Sequence, residues 1–118
     1  MANKPEELLN DLTKGLGNLA EKDHNFNNGF MRLMGSVFRE GALSVKEKEL
    51  IGIAVCIYVR CEYCIAQHVY KALEAGATPE QIIEAAEVGV AFGGGPSVAY
   101  LVTSLMDALN TFAPKFNK

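Results

Sequence analysis

Ten consecutive residues, Leu50 to Val59, carry no charge on any face. They follow Ser44-Val45-Lys46-Glu47, a capping box in which Ser44 accepts from the amide three residues on, so a helix opens here and runs to about Val59. A helix that is apolar all round has to be buried, which makes this segment the centre of the fold or of an oligomer. With 118 residues there is room for one domain, spanning 1–118. A second charge-free stretch, Val88 to Met106, is nominally long enough to cross a membrane. Gly93-Gly94-Gly95-Pro96 interrupts it, and Ser97, Thr103 and Ser104 add polarity. It therefore reads as two buried helix segments joined by a turn.

The rest of the chain also follows the helical period, with no sustained strand alternation. Leu8, Leu12, Leu16 and Leu19 stripe a first helix, and Asp23 to Asn28 forms a polar, Asn-rich break. Phe26, Phe30, Leu33, Met34, Val37 and Phe38 mark a second helix that Gly41 can end. After the central helix, a fourth carries Cys61 to Ala75 and stops at Gly76. Thr78-Pro79-Glu80-Gln81 caps a fifth that runs through about Phe92, and a sixth extends from about Ser97 to Thr111. The expected fold is an all-α, single-domain bundle of about six helices.

Hydrophobic residues make up 49% and charged residues 21%, which excludes wholesale disorder. The net charge of −3 and the absence of adjacent basic residues leave no basic face for nucleic acid or an anionic membrane. The start, Met1-Ala2-Asn3-Lys4-Pro5-Glu6-Glu7, lacks the apolar core of a signal peptide, so the expected location is the cytoplasm. In that compartment a C-x-x-C points to redox chemistry or metal binding.

Cys61-Glu62-Tyr63-Cys64 is such a motif, and His68 follows it one turn later. On a helix, residues 61, 64 and 68 share one face. Positive charge at the helix N-terminus favours a thiolate, and i, i+3 spacing lets the two sulfurs meet as a disulfide. The loop is so short that closing it adds only about 2 kcal/mol of stability, which suits a reversible couple better than a staple. His68 is within reach as a proton acceptor. Glu49 is either a residue of the exposed first turn, with Lys46, Glu47 and Lys48, or the carboxylate that orients the imidazole. Zinc is the rival for Cys61, Cys64 and His68, but a closed site needs a fourth ligand and no second cysteine pair exists. No cofactor motif appears: Gly93 to Pro96 lacks the lysine of a phosphate loop. Cys56 is expected in the core, His24 in solvent, and Met31, Met34 and Phe38 in core or interface.

Glu49, eleven residues, then Cys61-x-x-Cys64-x-x-x-His68 resembles the signature of alkyl hydroperoxidase D-like proteins, within the carboxymuconolactone decarboxylase superfamily. The similarity runs from about Ser44 to Ala86, including the Gly76-Ala77-Thr78-Pro79-Glu80 turn. It implies a thiol-dependent oxidoreductase with peroxiredoxin-like activity, using no cofactor or bound metal. In that family the second cysteine attacks peroxide, the first resolves the sulfenic acid, the histidine is the base, and the glutamate supports it through a water. The corresponding residues are Cys64, Cys61, His68 and Glu49. Tyr63 stands where the best-known peroxidase members carry a second histidine. The implied partners are a hydroperoxide or disulfide substrate, a thiol reductant, and further copies of the chain in a homotrimer or homohexamer. The alternatives are a carboxymuconolactone decarboxylase-like lyase using Glu49 and His68, although the family's decarboxylases generally lack the cysteine pair, or a non-catalytic metal-binding or assembly module.

Overall fold

The computed structural model of the chain describes residues 4–117. Met1, Ala2 and Asn3, which belong to the segment read above as lacking a leader, and Lys118, the end of the expected domain, lie outside the described residues. The described chain is all-α, in the order α1 (Lys4–Lys22), α2 (His24–Val37), α3 (Val45–Val59), α4 (Glu62–Glu74), α5 (Pro79–Gly93), α6 (Gly95–Tyr100) and α7 (Met106–Phe112). A π turn at Leu101–Leu105 joins α6 to α7, and a 3₁₀ turn, Ala113–Lys115, follows.

Local chemistry sets the boundaries. Both capping boxes form, with Ser44 and Glu47 opening α3 and Thr78 and Gln81 opening α5. The Asn-rich segment differs from its expectation: it is helix. Asp23 alone interrupts the chain, and its carboxylate accepts from the Phe26 amide, capping α2 three residues before the first phenylalanine of the stripe. The other end of α2 comes at Val37, short of Gly41. There the Lys48 ammonium donates to the carbonyls of Val37 (2.8 Å) and Arg39 (2.7 Å), satisfying acceptors that the ended helix leaves open. The expected sixth helix is two short ones around the π turn, where the Thr103 hydroxyl donates back to the Ala99 carbonyl.

The core is built where α3, α4, α5 and α7 meet, from Ile53, Ile57, Ile65, Val69, Ile82 and Phe112 among others. At Gly89 the α5 backbone lies against α3 so closely that an added Cβ would collide with the Ala54 carbonyl oxygen. Ser97 is buried and donates to the Ile57 carbonyl, tying the start of α6 to α3. Only one side of α3 is buried, however. Ile51, Val55, Tyr58 and Val59 are each about half exposed, as are Val88 on α5 and Val102 in the π turn, and Phe92 is 79% exposed. The two charge-free stretches are therefore half in the core and half on the surface of a single chain. The reason is size: a bundle this small has one interior, and α3 can turn only one face toward it.

Candidate active site

Between α3 and α4 the chain turns on two residues. Arg60 adopts the left-handed conformation (φ 59°, ψ 51°), a state that costs a non-glycine residue about 1 kcal/mol. Its amide and that of Cys61 both donate to the Cys56 carbonyl, closing α3. Cys61 is then the N-cap of α4 rather than its first turn, and its sulfur accepts from the Cys64 amide at 3.2 Å. Cys61 and Cys64 are joined as a disulfide, with Cα atoms 5.2 Å apart.

One turn further along α4, His68 meets Glu49. Nδ1 of the imidazole and Oε1 of the carboxylate are 2.6 Å apart. Glu49 is not a residue of an exposed first turn: it is only 3% exposed, because the second turn of α3 already faces the core. A carboxylate taken this far out of water needs a donor, and the imidazole supplies it. The contact is direct, with no room for the intervening water that the family resemblance implied. Against an ionised carboxylate, which can only accept, a neutral imidazole donates from Nδ1 and keeps Nε2 as its basic nitrogen.

Two further residues fix the ring. Phe38, just past the end of α2, lies against it with centroids 5.6 Å apart. Gly52, one turn after Glu49, passes so close that a Cβ there would sit 3.3 Å from Nδ1. Gly52 was not singled out from the sequence, although a lone glycine inside an apolar helix is the usual sign of a close approach.

Cys64, Glu49 and His68 line a cavity of about 540 Å³ between α2 and α4. Its far wall is apolar, with Leu12, Leu16, Phe30, Met31 and Met34. Met31 and Met34 thus wall a cavity instead of filling a core, because α2 has no buried residue among those described. Gln67, Lys71 and Glu74 bring polar groups to its edge, and Tyr63 lies beside Cys64. Cys56 is buried in α3, and its thiol is pushed up to about 12, first by burial and then by the charge of Glu49. His24 is exposed and bonds to Asn28, outside the site. Gly94 (φ 68°) makes the break between α5 and α6. Among the described residues no group of three or more His, Cys, Asp or Glu side chains is arranged to hold a metal ion, and no helix is long and apolar enough to cross a membrane.

Comparison with known proteins adds to this geometry. Residues 25–105 match the sequence model of the carboxymuconolactone decarboxylase family. An uncharacterized protein of Cupriavidus necator is 31% identical over 104 residues, covering 86% of this chain and 92% of that protein. An uncharacterized protein of the cox locus of Paracoccus denitrificans is 36% identical over 85 residues, 72% of this chain and 77% of that one. Among solved structures, a carboxymuconolactone decarboxylase family protein of Legionella pneumophila, in its apo form, superposes with a TM-score of 0.86 at 31% identity, covering 99% of this chain and 100% of that one. A Thermotoga maritima protein of the same family, with a suggested involvement in antioxidative response, gives 0.74 at 26% identity over 92% and 96%.

Proposed function

The chain belongs to the carboxymuconolactone decarboxylase family, and within it we propose that this protein is a thiol-dependent oxidoreductase that reduces hydroperoxides through the Cys61/Cys64 couple. The observation that carries the reading is a disulfide-bonded cysteine pair whose Cys64 shares the lining of one cavity with the Glu49–His68 pair. Two uses of these groups fit together. Nε2 of His68 takes the proton of the Cys64 thiol, and Glu49 holds the imidazolium that results. The Cys64 thiolate attacks the terminal oxygen of ROOH, breaking the O–O bond to give Cys64 sulfenic acid, while the alkoxide leaves with the proton from His68 as ROH. Attack by the Cys61 thiol on that sulfur expels water and closes the disulfide, and a dithiol reductant restores both thiols. On this reading the protein works in the cytoplasm, where thiol pools can reopen the disulfide.

The apolar wall of the cavity favours a substrate with an organic group over hydrogen peroxide alone. The test is consumption of an organic hydroperoxide with a dithiol reductant, for the wild type and for Cys64→Ser. Loss of turnover in the variant is expected. Equal turnover in both would overturn the reading and leave acid–base lyase chemistry at Glu49 and His68, the use of this site that needs no thiol.

A further inference from the structure

We propose that the Cys61–Cys64 disulfide opens with a fixed polarity: the incoming reductant thiol bonds to Sγ of Cys64, and Cys61 departs as the thiolate. This rests on the thiol-oxidoreductase reading and adds the half of the cycle that reading leaves unassigned. Two independent observations carry it. Cys64 lies on the wall of the 540 Å³ cavity together with His68, whereas Cys61 is not among the residues lining that cavity. A thiol entering there finds Cys64 and His68 in the lining of the same cavity. Cys61, in turn, is the N-cap of a thirteen-residue helix, and its sulfur already accepts the Cys64 amide.

The second observation decides which sulfur leaves. When a disulfide breaks, charge develops on the departing sulfur, and the thiol of lower pKa departs faster. At Cys61 an amide donor and the positive end of α4 are aimed at that sulfur before the bond breaks, so nothing has to reorganise to receive the charge. The negative group nearest in sequence, Glu62, is paired with Lys4 at 3.5 Å, which offsets its repulsion in part. The helix N-terminus and the histidine therefore act on different cysteines. The first makes Cys61 the leaving group, and the second makes Cys64 the site of exchange.

The step balances as follows. His68 Nε2 takes the proton of R–SH, and R–S⁻ forms a bond to Cys64 Sγ. The Cys61–Cys64 bond breaks with its electron pair going to Cys61 Sγ, leaving a Cys64–S–S–R mixed disulfide. A second thiol of the reductant gives its proton to the Cys61 thiolate and attacks the R sulfur, releasing the Cys64 thiolate to recover the proton from His68. The protein disulfide is reduced, and the two reductant thiols are oxidised to one disulfide.

The experiment mixes the oxidised wild-type protein with glutathione, quenches in acid within milliseconds, alkylates free thiols with a maleimide at low pH, and locates both labels by tandem mass spectrometry. Glutathione on Cys64 with maleimide on Cys61 is expected, in at least about tenfold excess over the reverse. That excess corresponds to a difference of about 1.4 kcal/mol between the two openings. Glutathione mainly on Cys61, or an even split, would overturn the proposal. A second measurement does not depend on trapping the adduct: thiolate absorbance against pH in Cys64→Ser and Cys61→Ser. Cys61 in the first variant should ionise at lower pH than Cys64 in the second, and the opposite order would also overturn it. Neither measurement uses peroxide. A protein that fails to turn over peroxide yet opens toward Cys64 refutes only the peroxidase reading, while peroxide turnover with the adduct on Cys61 refutes only this one.

Discussion

The imidazole of His68 is held by Glu49 at one edge, Phe38 against its face and Gly52 close behind, so its orientation is fixed before any substrate arrives. Such a base is worth roughly 10²–10⁴-fold in rate. His68→Ala should slow peroxide-driven disulfide formation by about that factor in stopped-flow measurements. Glu49→Gln should slow it less, since the amide still reaches Nδ1 but presents no charge to an imidazolium. Rates within about twofold of wild type for both would remove the proton-transfer role. Cys56 supplies a different readout. Burial, reinforced by Glu49, pushes its thiol up to about 12 in the folded protein, against 9.0 for a free cysteine. The unfolded chain therefore releases this proton first as pH rises. The stabilising contribution is complete below pH 9 and is lost progressively between about 9 and 12. Denaturation midpoints of Cys56→Ala should decline less steeply than those of wild type across that window.

Among the helices, the α3–α5 contact is the one that tolerates least. At Gly89 a methyl group would run into the Ala54 carbonyl and touch Ile57 at 3.1 Å, and a backbone oxygen in a helix cannot swing aside. Gly89→Ala should cost about 1–3 kcal/mol, read as a lower urea midpoint with unchanged slope. Gly17, in the middle of α1, has nothing within 4 Å of the same position. Gly17→Ala should stabilise by about 0.5–1 kcal/mol, through reduced freedom of the unfolded chain. The pair of variants separates close packing from helix propensity, because the chemical change is the same.

At the scale of the molecule, the chain exposes more surface than its mass requires. A 12.8 kDa protein ordinarily presents about 6,300 Å², and this one presents 7355 Å². Large apolar side chains are exposed on two faces: α2, with Phe26 and Leu33 outward, and the side of α3 and α5 carrying Val55, Tyr58 and Phe92. Faces of this kind are covered by partners, and self-association through closed symmetry is the economical solution. We propose a homotrimer or homohexamer. Light scattering coupled to size exclusion at micromolar concentration should give three or six times the 12.8 kDa chain mass. Phe92→Asp, at the most exposed phenylalanine, should lower it. A wild-type mass near 13 kDa at every loading would defeat the idea.

The helices, their caps and the cysteine–histidine face were legible in the sequence because each is built from steps of three or four positions along the chain. Ser44 and Glu47, Thr78 and Gln81, and Cys61, Cys64 and His68 are pairs and triples of that kind. Asp23 obeys the same rule, and its cap on the Phe26 amide outweighs the break that the Asn-rich composition suggests. What the tertiary structure decided lies at longer range. Glu49 touches His68 across nineteen residues of chain, and two readings of it stayed open until α3 was packed on α4. The apolar run Leu50 to Val59 announced burial but not its direction, since composition has no azimuth. Only the placement of α5 shows which side of α3 enters the core and which is left exposed. Likewise, nothing local tells that Phe38 and Gly52 meet at one imidazole, because that contact exists only once α2, α3 and α4 occupy the same space.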